Sequence, residues 1–181
     1  AEGVPDADAD TDSLNLQWSQ RLDAHWSWGL LVGRVRAEMD QPGVFALDST
    51  TFAWPSNDGP LYTLSGARLW NRMVSTVVSP SLTGHFSAGG ASHTLLAGID
   101  LDRTTDDAYL RFSPNFGLLG FFDITRPVYP AWAEPDVTGT PDQRNRYRST
   151  GAYLQDHADF GALQITGSVR HNRVRVDDVN P

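Results

Sequence analysis

Hydrophobic and polar residues alternate with a period of two along six segments of the chain, and this pattern predicts β-strands. In the first segment, Leu14, Leu16 and Trp18 are separated by single polar residues. Four further segments repeat this pattern, with Gly, Ser and Thr common at the polar positions, and residues 147–157 (YRSTGAYLQDH) also read as a strand. The six segments are residues 14–19, 26–33, 70–82, 95–102, 147–157 and 163–170.

The connections between these segments are alternately short and long. Tight turns are predicted near residues 22–25, 84–90 and 158–161, and long loops over residues 38–66 and 104–145. Residues 1–12 are predicted to form an acidic loop. Pro80 predicts a bulge or bend in the third strand, because proline cannot donate a hydrogen bond to a neighbouring strand.

Short turns at one end and long loops at the other are typical of outer-membrane barrels. The predicted fold is therefore all-β: an antiparallel up-and-down meander of about six strands, a segment of a large transmembrane β-barrel. Its short turns would be periplasmic and its long loops extracellular. Leu30, Ile99 and Leu154 are expected to face lipid, while the polar positions face a lumen. Because bacterial barrels begin at about eight strands, this interpretation implies an incomplete chain.

A soluble or surface-attached antiparallel β module that binds ligands or proteins is the alternative. The same alternation fits a sheet with one face on a hydrophobic core. Six strands would then leave two edges to be covered. Leu95, Ile99, Leu163 and Ile165 distinguish the two folds, because only the soluble module would bury them in a compact centre. A passive porin-like barrel is a third interpretation.

Composition narrows the function classes. The 14 basic and 22 acidic residues give a formal net charge of −8, which argues against a nucleic-acid partner. The chain has no cysteine, so disulfides and thiolate metal sites are excluded. It also has no lysine, while it has 16 glycines and 11 prolines, a composition that disfavours a helical bundle. The apolar runs are too short for a membrane-spanning helix.

Residues 150–156 read TGAYLQD, residues 93–100 read HTLLAGID, and residues 167–178 form an arginine-rich stretch flanked by aspartates. Together these motifs resemble those of TonB-dependent siderophore receptors. Residues 127–129 (PVY) are similar to the family's NPVY, with Arg126 in place of asparagine. A plug domain and an aromatic carboxyl-terminal strand, two marks of the family, are not seen.

The resemblance implies a receptor in the bacterial outer membrane, in contact with its lipid. Its function would be to capture a ferric siderophore or similar metal chelate on extracellular loops. Transport would be driven by the TonB energy-coupling complex, through a plug domain that is not in this chain. No enzymatic activity, cofactor or metal site is expected; the spaced aspartates of residues 6–12 are interpreted as a solvated loop.

Aromatic rings and arginines on the long loops are the candidate ligand contacts, since a bulky, often anionic chelate requires stacking faces and positive charge. The same aromatic residues could instead pack the loops together. On the strands, four charged residues are expected to face the lumen, with the aspartates paired to arginines of neighbouring strands. The loop candidates are Trp54, Tyr62, Phe116, Phe121, Arg126, Tyr129 and Trp132; the lumen candidates are Asp100, Asp102, Arg148 and Arg170.

Overall fold

A computed structural model describes residues 3–47, 61–139 and 141–178 as a single antiparallel sheet. Six long strands are neighbours in chain order, and a seventh, short strand pairs with one end of the third long strand. Within these residues no helix is long and apolar enough to cross a membrane. The strands are β1 (Asp8–Arg21), β2 (Trp26–Leu47), β3 (Leu61–Ala88), β4 (Ala91–Phe112), β5 (Leu118–Asp123), β6 (Gln143–Asp159) and β7 (Gln164–Asp178).

The predicted meander is confirmed, but its strands are longer than the alternating segments. β1 begins inside the expected acidic loop, and β2 and β3 extend far into the expected loop at residues 38–66. β4, β5 and β6 likewise occupy parts of residues 104–145. The bounds predicted for these loops were wrong because charged residues replace apolar ones here while the backbone ladder continues. We call this end of the sheet the loop end.

Tight turns join the strands at the opposite, short-turn end. Asp23 accepts backbone hydrogen bonds from His25 and Trp26 at 2.7 and 2.8 Å, a geometry that closes the β1–β2 connection. Gly89 and Gly90 both have positive φ and close the β3–β4 hairpin. The second turn is therefore narrower than predicted, because β3 continues to Ala88.

Pro80 interrupts one ladder without a bulge. β3 pairs with β4 up to Val78 and again from Ser81, and the register is the same on both sides of the gap. Pro80 is still aligned with Leu30 of β2. The predicted bulge was wrong: the missing N–H of proline removes hydrogen bonding locally, and no extra residue is inserted.

Register divides the side chains between two faces, because paired residues point to the same side of a sheet. The Leu30 face also holds Ile99 and Leu154, as predicted, and the Asp100 face holds glycine, serine, threonine and asparagine. Leu163, Ile165 and Ile99 are 57, 51 and 47% exposed. Among the residues that the structure describes, few apolar side chains are buried, and most of those few are alanines. The apolar side chains therefore do not form the closed core that the soluble module requires.

An apolar band covers the short-turn half of the Leu30 face. On β3 it runs from Val78 to Phe86, which is about 26 Å along the strand at roughly 3.3 Å per residue. For a strand tilted by about 40° this equals roughly 20 Å, close to the apolar band of about 25 Å on the outside of outer-membrane barrels. Trp18, Trp26 and Trp28 lie at its short-turn side, with the Trp18 and Trp28 ring centroids 5.1 Å apart.

The two faces exchange character toward the loop end. On the Leu30 face the band ends at a level where four aligned positions are arginine, which we call the arginine row: Arg34, Arg103, Arg148 and Arg175. Beyond it that face carries charged residues, and at its far end it carries apolar and aromatic side chains again. On the Asp100 face the reverse holds, since the loop end carries exposed apolar rings.

Candidate ligand-binding surface at the loop end

Exposed apolar side chains cluster on the Asp100 face of the loop end, and we call them the loop-end patch. Leu69 and Leu110 are directly aligned, Phe121 lies opposite Thr63, and Phe112 lies opposite Ala67. All are exposed although the surrounding positions on this face are small or polar. The patch consists of Phe45, Leu69, Leu110, Phe112 and Phe121.

Small residues lie between and beneath the large apolar side chains of the patch. Gly43 pairs with Ala67, and the Phe45 ring bends over Gly43, where a Cβ would come within 3.3 Å of it. Thr63, Ser65 and Ala67 follow each other on the same face of β3 and are buried. The rings therefore project above a floor of small side chains. Such a surface can contact flat or apolar parts of a ligand.

A groove of about 460 Å³ lies on the opposite, Leu30 face of the same strands. Tyr62 and Phe122 are directly aligned across β3 and β5, and Tyr129 stacks on Phe122 with ring centroids 4.8 Å apart. Apolar side chains complete the walls. The remaining lining residues are Val44, Ala46, Leu64 and Ile124.

An ionic network fastens the connection after β5 to the strands. Trp132 lies over Gly66, where a Cβ would come within 2.9 Å of its ring, and its Nε1 donates to Glu134 at 2.7 Å. Arg68 donates to Glu134 and, through two nitrogens at 2.6 and 2.7 Å, to Asp40. The hydrogen bonds to Asp40 raise the pKa of the Arg68 guanidinium. β5 is thus held in place from the Leu30 face.

A second set of contacts at this end was not foreseen from the sequence. Trp70 lies loopward of the arginine row and stacks on Tyr109 with ring centroids 5.3 Å apart. Its Nε1 donates to Glu38 at 3.0 Å. Arg111 lies over the Tyr109 ring and pairs with Asp142, which lowers the pKa of that carboxyl. The sequence does contain a signal for these contacts: Tyr109 and Arg111 are two residues apart in β4 and therefore point to the same face of the sheet.

The structure brings only some of the loop candidates together. Tyr62 and Tyr129 line the groove, Trp132 packs beside it, and Phe121 lies on the other face in the loop-end patch. Phe116 is 92% exposed with a φ of 58°. The two remaining candidates stand apart: Arg126 is exposed on the connection after β5, and Trp54 lies outside the described residues.

Two of the lumen candidates form an ion pair. Arg170 Nη2 lies 2.7 Å from Asp100 Oδ2 on the Asp100 face, and β6 separates the strands of the two residues. Asp102 accepts instead from Ser75 at 3.4 Å and Thr104 at 3.1 Å. Arg148 was wrongly assigned, since its register with Arg103 places it on the Leu30 face.

The described residues at the loop end expose apolar side chains on both faces of the sheet. They contain no group of three His, Asp or Glu side chains placed to hold a metal ion. The charged side chains at the loop end are arranged in pairs that fix the strands and the connection. What remains open to a ligand is the loop-end patch and the groove.

Known proteins share both the sequence and the fold. Residues 2–181 match the family model described as TonB dependent receptor-like, β-barrel. The ferrioxamine B receptor of Salmonella typhimurium is 32% identical over 113 residues, which are 60% of this chain and 15% of the receptor. The ferrichrome outer membrane transporter/phage receptor of Escherichia coli is 25% identical over 122 residues, 66% of this chain and 16% of the transporter. These relatives are receptors and transporters, not enzymes.

Two solved structures share the fold. BauA, the ferric preacinetobactin receptor from Acinetobacter baumannii, superposes with a TM-score of 0.75 at 18% identity, over 95% of this chain and 25% of that one. The ferric citrate transporter FecA in the unliganded form gives a TM-score of 0.58 at 15% identity, over 95% and 22%. The chain thus spans about a quarter or less of each protein it matches.

Proposed function

Because the chain belongs to the TonB-dependent receptor-like β-barrel family, we propose that it forms part of the wall and loops of a bacterial outer-membrane receptor. The ligand is a ferric siderophore or a similar metal chelate. The receptor binds it from the medium and passes it inward, driven by the TonB complex through a plug domain. The named relatives, which bind ferrioxamine B or transport ferrichrome, support this ligand class.

One observation carries the membrane part of the proposal: the Leu30 face carries an apolar band roughly 20 Å high, close to the band of about 25 Å on the outside of outer-membrane barrels. Exposed apolar area on this scale is unfavourable in water and favourable against acyl chains. The Asp100 face would then line the lumen, where Asp100, Asp102 and Arg170 meet water or a polar plug.

The exchange of character between the faces supports the ligand-binding part. If the Leu30 face is outward, the loop-end patch faces inward, above the lumen and in the path of an entering chelate. Phe121 is therefore the sequence candidate that we place in direct contact with ligand. Tyr62, Tyr129 and Trp132 act from the other face, because they hold β5 and so fix the position of Phe121.

Uptake by cells is the direct test. Iron-starved cells that make the protein should accumulate radioactive iron supplied as ferrioxamine B or ferrichrome, and a protonophore should abolish the accumulation. Cells lacking TonB, and cells given ferric citrate in its place, serve as controls for the coupling and for the chelate class. Accumulation that persists without TonB would contradict energised transport. Recovery of the protein from cell extracts without detergent would contradict the membrane assignment.

A further inference from the structure

Charge is distributed unequally between the two faces of the sheet. The chain has no lysine, so its permanently cationic side chains are arginines. By register, every arginine on the strands except Arg21 and Arg170 lies on the Leu30 face. Arg21 is near the short turns, and Arg170 is paired with Asp100. Between that pair and the loop-end patch, the Asp100 face therefore carries no arginine on the strands that the structure describes.

Carboxylates remain on the Asp100 face over the same length. On β4, Asp102 and Asp106 follow one another toward the loop end, and Asp178 of β7 lies at the level of Asp106. Asp102 lies within hydrogen-bond distance of two hydroxyl groups, and Asp106 accepts from the Asn71 amide at 2.6 Å. These partners are neutral. They orient the carboxylates without cancelling their negative charge.

The loop-end patch continues the same face beyond the carboxylates. Leu110 lies four residues loopward of Asp106 on β4, which is about 13 Å at roughly 3.3 Å per residue. A molecule entering from the loop end would meet exposed apolar side chains first and carboxylates next. An anion on this path would lose its water without gaining a cationic partner, and each carboxylate would repel it. A cation would be attracted along the same path.

We propose that this surface selects chelates by charge, and that it takes neutral or cationic ferric chelates and rejects anionic ones. This rests on the proposed function, since it requires the Asp100 face to line the path of the ligand. Hydroxamate complexes are the chemical class that fits, because hydroxamate groups can neutralise a ferric ion fully. Citrate and catecholate groups leave a net negative charge on the complex. The apolar chains between the hydroxamates would lie on the loop-end patch.

Three probes that share one iron core test the selection. Ferrioxamine B carries a pendant ammonium group; acetylation of its amine gives a neutral chelate, and succinylation gives an anionic one. Binding is measured by tryptophan fluorescence on the protein as cells make it, solubilised in detergent. We expect the cationic chelate to bind most tightly and the anionic one most weakly. Successive Kd values should differ by about tenfold, from roughly threefold for each of two exposed carboxylates, and less at high salt.

Removing the two carboxylates should abolish the order. In D102N/D106N the side-chain oxygens still accept from their neutral donors, while the charge is lost. The Kd of the cationic chelate should rise by about tenfold and that of the anionic chelate should fall by about tenfold. The Kd of the neutral chelate should stay within about threefold, which shows that the surface is intact.

A matched variant removes the same charge from the opposite face. Asp10 and Asp177 lie on the Leu30 face, within one residue of the level of Asp106, and make no hydrogen bond or ion pair within the described chain. D10N/D177N should bind all three chelates like the parent protein. Equal changes in both double variants would overturn the selection, because the overall net charge of −8 would then explain the order.

The other outcomes are equally distinct. Tightest binding of the anionic chelate by the parent protein, or an unchanged order in D102N/D106N, overturns the selection. Loss of the neutral chelate in that variant also overturns it, since the aspartates would then act through packing. If TonB-dependent uptake is equal for all three chelates, the proposed function stands and the charge selection alone is wrong. If none is bound or accumulated, the proposed function is wrong, and the selection falls with it.

Discussion

Arg170 on β7 reaches across β6 and places its guanidinium 2.7 Å from the carboxylate of Asp100 on β4. Gly151 stands at the crossing on β6; a Cβ there would lie 3.0 Å from Arg170 Nη2. The guanidinium also lies over the Tyr153 ring, which itself covers Gly98. Gly151 on the intervening strand β6 thus leaves room for a side-chain link between β4 and β7, in addition to the backbone hydrogen bonds of the sheet.

Replacing Gly151 with alanine should break this link. The new Cβ would lie 2.3 Å from Asn172 Oδ1 and 3.0 Å from Arg170, so both side chains must move. We expect the free energy of unfolding in detergent to fall by about 1 kcal/mol, the upper part of the range for partly exposed pairs. Gly167→Ala on β7 is the control, because no atom lies within 4 Å of the position that its new methyl group would occupy. Equal unfolding curves for the two variants would contradict the steric argument.

The ion pair itself can be isolated by a double-mutant cycle. Asp100→Asn, Arg170→Gln and the double variant should give a coupling energy of about 0.2–1 kcal/mol, because the side chains are 27 and 50% exposed and water screens their attraction. The measurement is urea unfolding at low salt, repeated at high salt. A coupling that does not weaken with salt would show that the two residues interact through packing instead of charge.

The β1–β2 turn should depend on pH through Asp23. The backbone N–H groups of His25 and Trp26 donate to its carboxylate and lower its pKa. Stability from this turn is therefore complete above the ordinary carboxyl pKa and is lost as the pH falls through the lowered value. Protection of the His25 and Trp26 amides from hydrogen exchange should decrease over that acidic range. In Asp23→Asn, whose side-chain oxygen still accepts, the protection should be independent of pH.

Arg68 should control how firmly the connection after β5 is held. Arg68→Gln removes the donors to Asp40 and Glu134, and with them the anchor beside Trp132. We expect hydrogen exchange in residues 124–139 to accelerate by about tenfold, since local opening then costs roughly 1.4 kcal/mol less. Arg36→Gln is the control, because it removes one exposed pair within β2. The same acceleration in both variants would contradict a specific anchoring role.

Phe121 and Phe116 provide a paired test of the ligand surface. Phe121 is 46% exposed in the loop-end patch, whereas Phe116 lies off the patch on the turn before β5. Phe121→Ala should weaken binding of ferrioxamine B or ferrichrome by about tenfold, as expected for one aromatic contact of roughly 1.4 kcal/mol. Phe116→Ala should leave the Kd within about threefold. Titration of tryptophan fluorescence measures both, and a reversed order would place the ligand outside the patch.

The sequence predicted the strands well where one face is apolar and the other polar. Between Trp26 and Val32, and between Leu95 and Leu101, the alternation alone predicted a strand, its antiparallel direction and the face on which each side chain lies. It failed from Arg34 toward Leu47, where the backbone ladder continues but charged side chains meet water. A period-two hydropathy signal is lost there, although cross-strand partners such as Arg68 and Asp40 keep the strands paired.

The candidate site was predicted less well, for two physical reasons. Arg148 lies six residues from Leu154, an even number, so strand parity already required both on one face; the residue's charge was given more weight than its position. The grouping of Phe121 with Phe45 and Phe112 depends on the start of β5 and on a register shift between Leu64 and Ser65. Neither can be read from spacing, because three successive positive φ angles at Asn115, Phe116 and Gly117 precede β5.

Apolar and charged side chains change faces between the two ends of the sheet, and this makes a shift in strand register unfavourable at both ends. If the Leu30 face is outward, as proposed, a slip of one residue would turn Ile99 or Leu101 toward the hydrated interior and bring Asp100 among acyl chains. The same slip would turn Phe112 outward to bulk water and Arg111 inward onto apolar rings. Errors at the two ends therefore add instead of compensating.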